Sequence, residues 1–257
     1  MITIPETGTH NTVGNNQLTI SDTGERMIPP GENEVSFVFS RHHFAYEYFS
    51  RLAKDCVVLD VGCGTGHGCR RMSEQAAAVC GVDSSSEAVL YGSRYAGGDN
   101  VLYLQMQAEN LGFKRVFDIA VSFQVIEHIA DIDRYINGIR MVVKHSGKII
   151  ISTPNVPRSS WEKSTNPFHV REFDYPDFRQ LIENYFTSFE LMGVVYAESS
   201  RIRAIVQRLP VYKWGKLLKR SSVVKKAAAR SMKLTGFTVT DHELDKAMDL
   251  IAVCVNN

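Results

Sequence analysis

The chain has 257 residues, 44% of them hydrophobic, with 29 Lys/Arg against 28 Asp/Glu, enough apolar material for one substantial core and most simply one α/β domain with decorations. No apolar run approaches the roughly 18–20 residues that span a bilayer, and Met1-Ile2-Thr3-Ile4-Pro5-Glu6 has no basic stretch leading into an apolar one, so neither a membrane span nor a secretory leader is expected. The five cysteines (Cys56, Cys63, Cys69, Cys80 and Cys254) are odd in number and show no C-x-x-C spacing, which argues against a disulfide framework and a zinc site and for a reducing, cytoplasmic setting.

Residues 1–33 are rich in Thr, Asn, Gly and Pro and read as an arm. From Glu34 to Ala53 the apolar residues Phe37, Phe44, Tyr48 and Leu52 recur at helical spacing, completing an N-terminal region over 1–53. Strand-like runs near 56–61, 79–82, 101–106, 116–122 and 147–152 then alternate with helical stretches near 67–77, 84–95 and 131–144, the pattern of a parallel, doubly wound sheet. A polar loop follows Asn155 as far as Phe173, then a helix over 175–186 and a sixth strand over 189–196, which closes a core of 54–198. Between Arg201 and Thr240 there are eleven Lys/Arg and no Asp/Glu, so the remainder of the chain is net acidic. The sets Ile202, Ile205, Val206, Leu209 and Val211, Trp214, Leu217, Leu218 have helical spacing, which predicts a basic amphipathic helical insertion over 199–240, broken at Pro210. The last strand, Asp249 to Val255, lies in 241–257.

Chemistry concentrates in Val57-Val58-Leu59-Asp60-Val61-Gly62-Cys63-Gly64-Thr65-Gly66-His67-Gly68, a buried strand joined to a helix through a glycine loop with a carboxylate at its entrance. Glycines let backbone turn tightly and approach a ligand, and the helix N-terminus offers unpaired N–H groups. The dinucleotide fingerprint G-x-G-x-x-G fails in every register, because started at Gly62, Gly64 or Gly66 it meets His67, Cys69 or Arg71. Asp60 would repel a pyrophosphate and suits a ligand carrying an ammonium group. A second short strand ends in Asp83, about twenty residues on, where such folds grip ribose hydroxyls. A cationic adenosyl amino acid fits both acids. Asp60 as a loop cap and Asp83 as a helix cap are the simpler alternatives.

These residues resemble the class I S-adenosylmethionine (SAM) dependent methyltransferases, whose first motif has an acid and glycines arranged as Asp60, Gly62, Gly64 and Gly66, and whose ribose acid corresponds to Asp83. Cys63 and Ser84 lie beside these positions and are assigned to the cofactor with them. Met106-Gln107-Ala108-Glu109-Asn110-Leu111-Gly112-Phe113 resembles the family's adenine-binding segment, implying Gln107, Ala108 and Glu109 as contacts. Gln107 stands where the family usually has aspartate, and only its carbonyl oxygen can accept from the adenine amino group. Phe117 to His128 resembles the fourth strand and its turn, adding Phe123 to the cofactor side, and Ser146 to Asn155 resembles the fifth strand. The resemblance implies a Rossmann-like, seven-stranded sheet of order 3-2-1-4-5-7-6 with the last strand antiparallel.

Methyl transfer from a sulfonium is an in-line displacement, in which orientation alone is worth roughly 7–11 kcal/mol. A hydroxyl acceptor also has to lose a proton, and a histidine in reach serves that need. His128, after the fourth strand, and His169, in Asn166-Pro167-Phe168-His169-Val170-Arg171-Glu172-Phe173, are the candidate catalytic residues; structural roles for both are the alternative, and no metal is required. His42, His43 and Tyr46 read as a roof over the cofactor or as packing, and Thr23-Gly24-Glu25-Arg26 resembles the arm of methyltransferases associated with bacterial polysaccharide synthesis. The expected acceptor is a small molecule, carbohydrate or glycolipid, methylated on oxygen. For 201–233 a solvated basic face is the simplest reading, peripheral contact with an anionic membrane or lipid-linked acceptor comes next and RNA last, the interleaved Trp214, Leu217 and Leu218 favouring a membrane or a protein partner over nucleic acid. The competing classes are a nucleic-acid methyltransferase, which the absence of an Asn/Asp-Pro-Pro-aromatic motif at Ser122-Phe123-Gln124-Val125 disfavours, and a SAM-binding module without catalysis.

Overall fold

A computed structural model describes residues 37–163, 166–196 and 236–257, together with Ile20. Helix α1 (Phe37–Phe49) leads through a 3-10 turn at Ser50–Ala53 into β1 (Val57–Val61), followed by α2 (His67–Ser73), β2 (Ala78–Asp83), α3 (Ser86–Tyr95), β3 (Val101–Gln105) and β4 (Phe117–Phe123). Then come α4 (Ile132–Val142), β5 (Val143–Pro154), α5 (Tyr175–Tyr185), β6 (Phe189–Tyr196), β7 (Phe237–Thr240) and β8 (Asp249–Val255). The eight strands form one sheet of order β3-β2-β1-β4-β5-β8-β6-β7. The pairs β3-β2, β2-β1, β1-β4 and β4-β5 are parallel, whereas β8 runs antiparallel to both β5 and β6. The fold is thus the Rossmann-like one, with the last strand inserted between the fifth and sixth.

Strand alternation decides what each face carries. Leu59 and Val61, Ala120, Ile149 and Ile151 point into the cluster that also holds Ile136, Ile139, Phe178 and Ile182, that is, toward α4 and α5. Val58, Ile119, Val121, Phe123 and Ile150 point the other way, joining Tyr46, Phe49, Cys69 and Met72 of α1 and α2. The helix starts are set locally: the side chains of Ser85, Asp131 and Asp174 accept from Ala88, Arg134 and Asp177 N–H groups as N-caps of α3, α4 and α5. A buried ion pair, Arg41 Nε to Asp249 Oδ2 at 3.1 Å, pins α1 to the start of β8.

Several boundaries differ from expectation. The helix expected over 67–77 ends at Ser73, and the one expected over 34–53 gives way to a 3-10 turn at Ser50. The strand expected over 147–152 already begins at Val143, so that α4, expected as far as 144, stops at Val142. There is also an added strand: Phe237–Thr240, expected inside a helical insertion, pairs antiparallel with Gly193–Tyr196 at the sheet edge. Its Phe-Thr-Val-Thr alternation favours a strand, and Phe237 anchors it against Phe37 and Tyr196, ring centroids 5.3 Å away in each case. All five cysteines are free. No helix among the described residues is long and apolar enough to cross a membrane. The arm motif Thr23–Arg26 and the segment 201–233, with its candidate membrane contact, lie outside the described residues.

Candidate functional site

The site is built at the carboxyl ends of β1, β2, β4 and β5, where a doubly wound sheet leaves its crevice. Leaving β1, the chain stays tied to β2, since Gly62 N–H and Cys63 N–H both donate to Val82 O at 2.8 and 3.0 Å. Gly62, Gly64 and Gly66 all have positive φ (76°, 53° and 82°), the left-handed region that only glycine enters cheaply. A Cβ at Gly62 would stand 2.4 Å from Val125 Cγ2, so the loop after β4 packs directly on the glycine loop. A Cβ at Gly64 would meet nothing within 4 Å; open space lies over the middle of the loop. Gly62→Ala combines left-handed strain with that clash and is expected to cost about 2–3 kcal/mol, read as a lower urea midpoint at unchanged slope.

Asp83, half-buried at the tip of β2, organises the next part. Its Oδ2 accepts from Gly64 N–H and its Oδ1 from Ser85 N–H, each at 2.9 Å. Its backbone carbonyl accepts from Met106 N–H at 2.9 Å, which brings the segment after β3 alongside. There Gln107 is exposed and Ala108 and Glu109 are half-buried, in a turn closed by Asn110 N–H to Gln107 O at 3.0 Å. Ser84 is exposed, and its carbonyl accepts from Gln105 Nε2 at 3.0 Å.

Asp60 is placed differently from its partner acid. It is 0% exposed, because alternation along β1 turns it to the face covered by α1 and α2. Tyr46 Oη donates to its Oδ1 at 3.0 Å and Cys69 Sγ to its Oδ2 at 3.2 Å. Burial pushes this carboxyl up to about 7 against the pull of those two bonds. Tyr46 also occupies the space where a Cβ at Gly68 would stand, 2.2 Å from its ring. Beside it, His42 Nδ1 meets His67 Nε2 at 3.1 Å and His42 Nε2 donates to Phe123 O at 3.3 Å. Burial lowers both rings, His42 to about 4, so the pair is neutral near pH 7. Phe123 itself is a core ring, 4.7 Å from Tyr46 in an edge-on contact, and the Cys63 side chain is likewise buried.

On the other side of the loop, β4 ends in a left-handed residue, Gln124 (φ 59°), whose N–H and Nε2 donate to Ser152 O and Oγ at 3.1 and 3.3 Å. A 3-10 turn, Ile126–His128, follows. Glu127 is 1% exposed; Thr153 Oγ1 donates to its Oε2 at 3.1 Å, and burial pushes it up to about 8. Its backbone carbonyl accepts from Val170 and Arg171 N–H at 2.9 and 3.2 Å, clamping the later loop onto this turn. His128 and His169 thereby meet edge to face, with centroids 5.0 Å apart.

Residues 59–151 match the family described as Methyltransferase domain. A relative in Mycolicibacterium smegmatis, "Probable S-adenosylmethionine-dependent methyltransferase", is 30% identical over 255 residues, covering 91% of this chain and 94% of that one. The chain belongs to the SAM-dependent methyltransferases. This methyltransferase is also 30% identical over 133 residues to a ubiquinone biosynthesis O-methyltransferase of Bartonella bacilliformis, covering 51% and 52% of the two chains. A SAM-dependent methyltransferase of Thermotoga maritima shares its fold, with a TM-score of 0.59 at 17% identity over 86% of this chain and 92% of that one.

SAM fits what the methyltransferase presents: a carboxylate at the tip of β2, open space over Gly64, and a half-buried segment beside Asp83 for a flat base. Three partners escaped sequence reasoning. Cys69 and Thr153 carry no motif signal, and Glu127 stood in the sequence only as a neighbour of His128. The i, i+1 pair Glu127-His128 after a strand was the available hint.

Proposed function

We propose that this methyltransferase transfers the methyl group of SAM to a hydroxyl oxygen of a small-molecule, carbohydrate or glycolipid acceptor. SAM supplies a methyl group already activated by its sulfonium. Asp83 holds the ribose, Gly62, Gly64 and Gly66 let the backbone come close, and residues 107–109 border the adenine. Asp60 acts from beneath, tying Tyr46 of α1 and Cys69 of α2 to the loop it precedes. The carrying observation is the cluster of His128 and His169 at the ends of β4 and of the loop after β5, on the same edge as the glycine loop through Val125. These histidines orient and activate the acceptor hydroxyl as its oxygen forms the new bond to carbon and the carbon–sulfur bond breaks. Likeness to an O-methyltransferase over about half the chain supports oxygen as the atom methylated.

Radiolabelled SAM, incubated with the protein and fractionated extracts of its source cells, is expected to label a small-molecule or glycolipid fraction stably. Label confined to nuclease-sensitive material would overturn the acceptor class. His128→Ala is expected to lower kcat by about 100-fold or more while SAM affinity by calorimetry stays within about twofold.

A further inference from the structure

Glu127 and His128 lie on one loop and His169 on another, yet one ligand-capable atom from each falls within 4.8 Å of the other two. Backbone, not side-chain chance, holds them so: the Val170 and Arg171 N–H groups seat the second loop on Glu127 O. Both imidazoles are also oriented. His128 Nδ1 lies 3.0 Å from Phe168 O, and a carbonyl only accepts, so Nδ1 carries the proton and the neutral ring's lone pair is on Nε2. His169 Nδ1 lies 3.0 Å from Glu172 Oε1, a carboxylate that imposes the same tautomer. Imidazoles tied at one nitrogen to a carbonyl or carboxylate are the arrangement that metal-binding histidines require of their surroundings. Thr153 likewise fixes the Glu127 carboxyl.

We propose that Glu127, His128 and His169 form a binding site for a divalent transition-metal ion on the acceptor side of the methyl-transfer site. Two imidazole nitrogens and one carboxylate oxygen suit manganese, iron, cobalt or zinc better than magnesium or calcium, which prefer all-oxygen sets. Glu127 is buried while both histidines are half-buried, so the ion is held from the protein side and faces the crevice, where an acceptor oxygen completes its coordination. The inference rests on the methyltransferase reading above and deepens it: the acceptor hydroxyl, bound to the cation, gives its proton to solvent, and the resulting oxyanion takes the methyl group as the carbon–sulfur bond breaks. Glu127 and His128 are adjacent but the third donor, His169, lies about forty residues on, a spacing that no metal-binding sequence pattern marks.

The test uses full-length, tag-free protein stripped with a chelator and titrated with cobalt(II), followed by visible absorption, and with zinc and manganese by calorimetry. The expected result is one ion per chain, with affinity lowered at least about 10-fold by His128→Ala and by His169→Ala, and about 10-fold by Glu172→Gln, which acts through His169. No saturable binding overturns the proposal, and so does binding that neither histidine variant weakens. SAM affinity, measured in parallel, reports folding of each variant. Intact SAM binding without metal binding removes this site and leaves the methyltransferase reading standing; metal bound as expected, with label only in nuclease-sensitive material, removes the acceptor reading and leaves the site.

Discussion

Asp83→Ala is expected to weaken SAM binding at least about 100-fold. Each Asp83 oxygen already accepts one backbone N–H, from Gly64 and from Ser85, and an ionised carboxylate oxygen has a second lone pair to offer. Two ribose hydroxyls hydrogen-bonded to a charged group are together worth about 3 kcal/mol or more, the equivalent of two decades in Kd. The alanine variant loses those bonds and also frees the Gly64 N–H that shapes the loop. Asp83→Asn keeps one acceptor oxygen and is expected to fall between, near 10-fold. Calorimetric titration with SAM measures both, and an alanine variant within about threefold of the parent would remove Asp83 from the cofactor site.

Asp60→Asn is expected to flatten the pH dependence of stability. The folded protein holds Asp60 near 7, up from 3.8, chiefly because the group is buried. Between about pH 4 and about pH 7 the unfolded chain therefore ionises at this position while the folded one stays protonated, and stability falls as pH rises. At about 1.4 kcal/mol per unit the loss reaches roughly 4 kcal/mol by neutral pH and does not grow beyond it. Asparagine has no proton to lose and keeps an oxygen for Tyr46. The stability difference between variant and parent should rise across that window in the variant's favour and level off above it, measured by urea unfolding at several pH values. A difference independent of pH would mean that Asp60 ionises normally in the folded protein.

The contrast between these two acids shows what local sequence carries. Glycine spacing and a carboxylate at each of two strand ends are short-range facts, and β1, the loop and β2 stand where those residues predict. Burial of Asp60 is not short-range: alternation puts it on the Val58 face, but only the packing of α1 and α2 covers that face. Phe123 follows the same rule, its ring turned into that packing and only its carbonyl turned to His42. His128 was legible as a residue after a strand, whereas its meeting with His169 depends on main-chain bonds from Val170 and Arg171 to Glu127, which no side-chain pattern encodes. β7 was hidden because the basic residues just before it dominate the composition, while its own pairing partner lies about forty residues earlier.

That pairing has a consequence for chain length. Tyr196 and Phe237 are direct cross-strand mates, and β6, antiparallel to β8 as β5 is, points its end toward the crevice. The chain between them departs and returns at neighbouring rungs of the sheet. Closing such a detour costs little more as it lengthens, about 0.6 kcal/mol per doubling. The length of the chain between them can therefore change while the ladder of β5, β8 and β6 keeps its register.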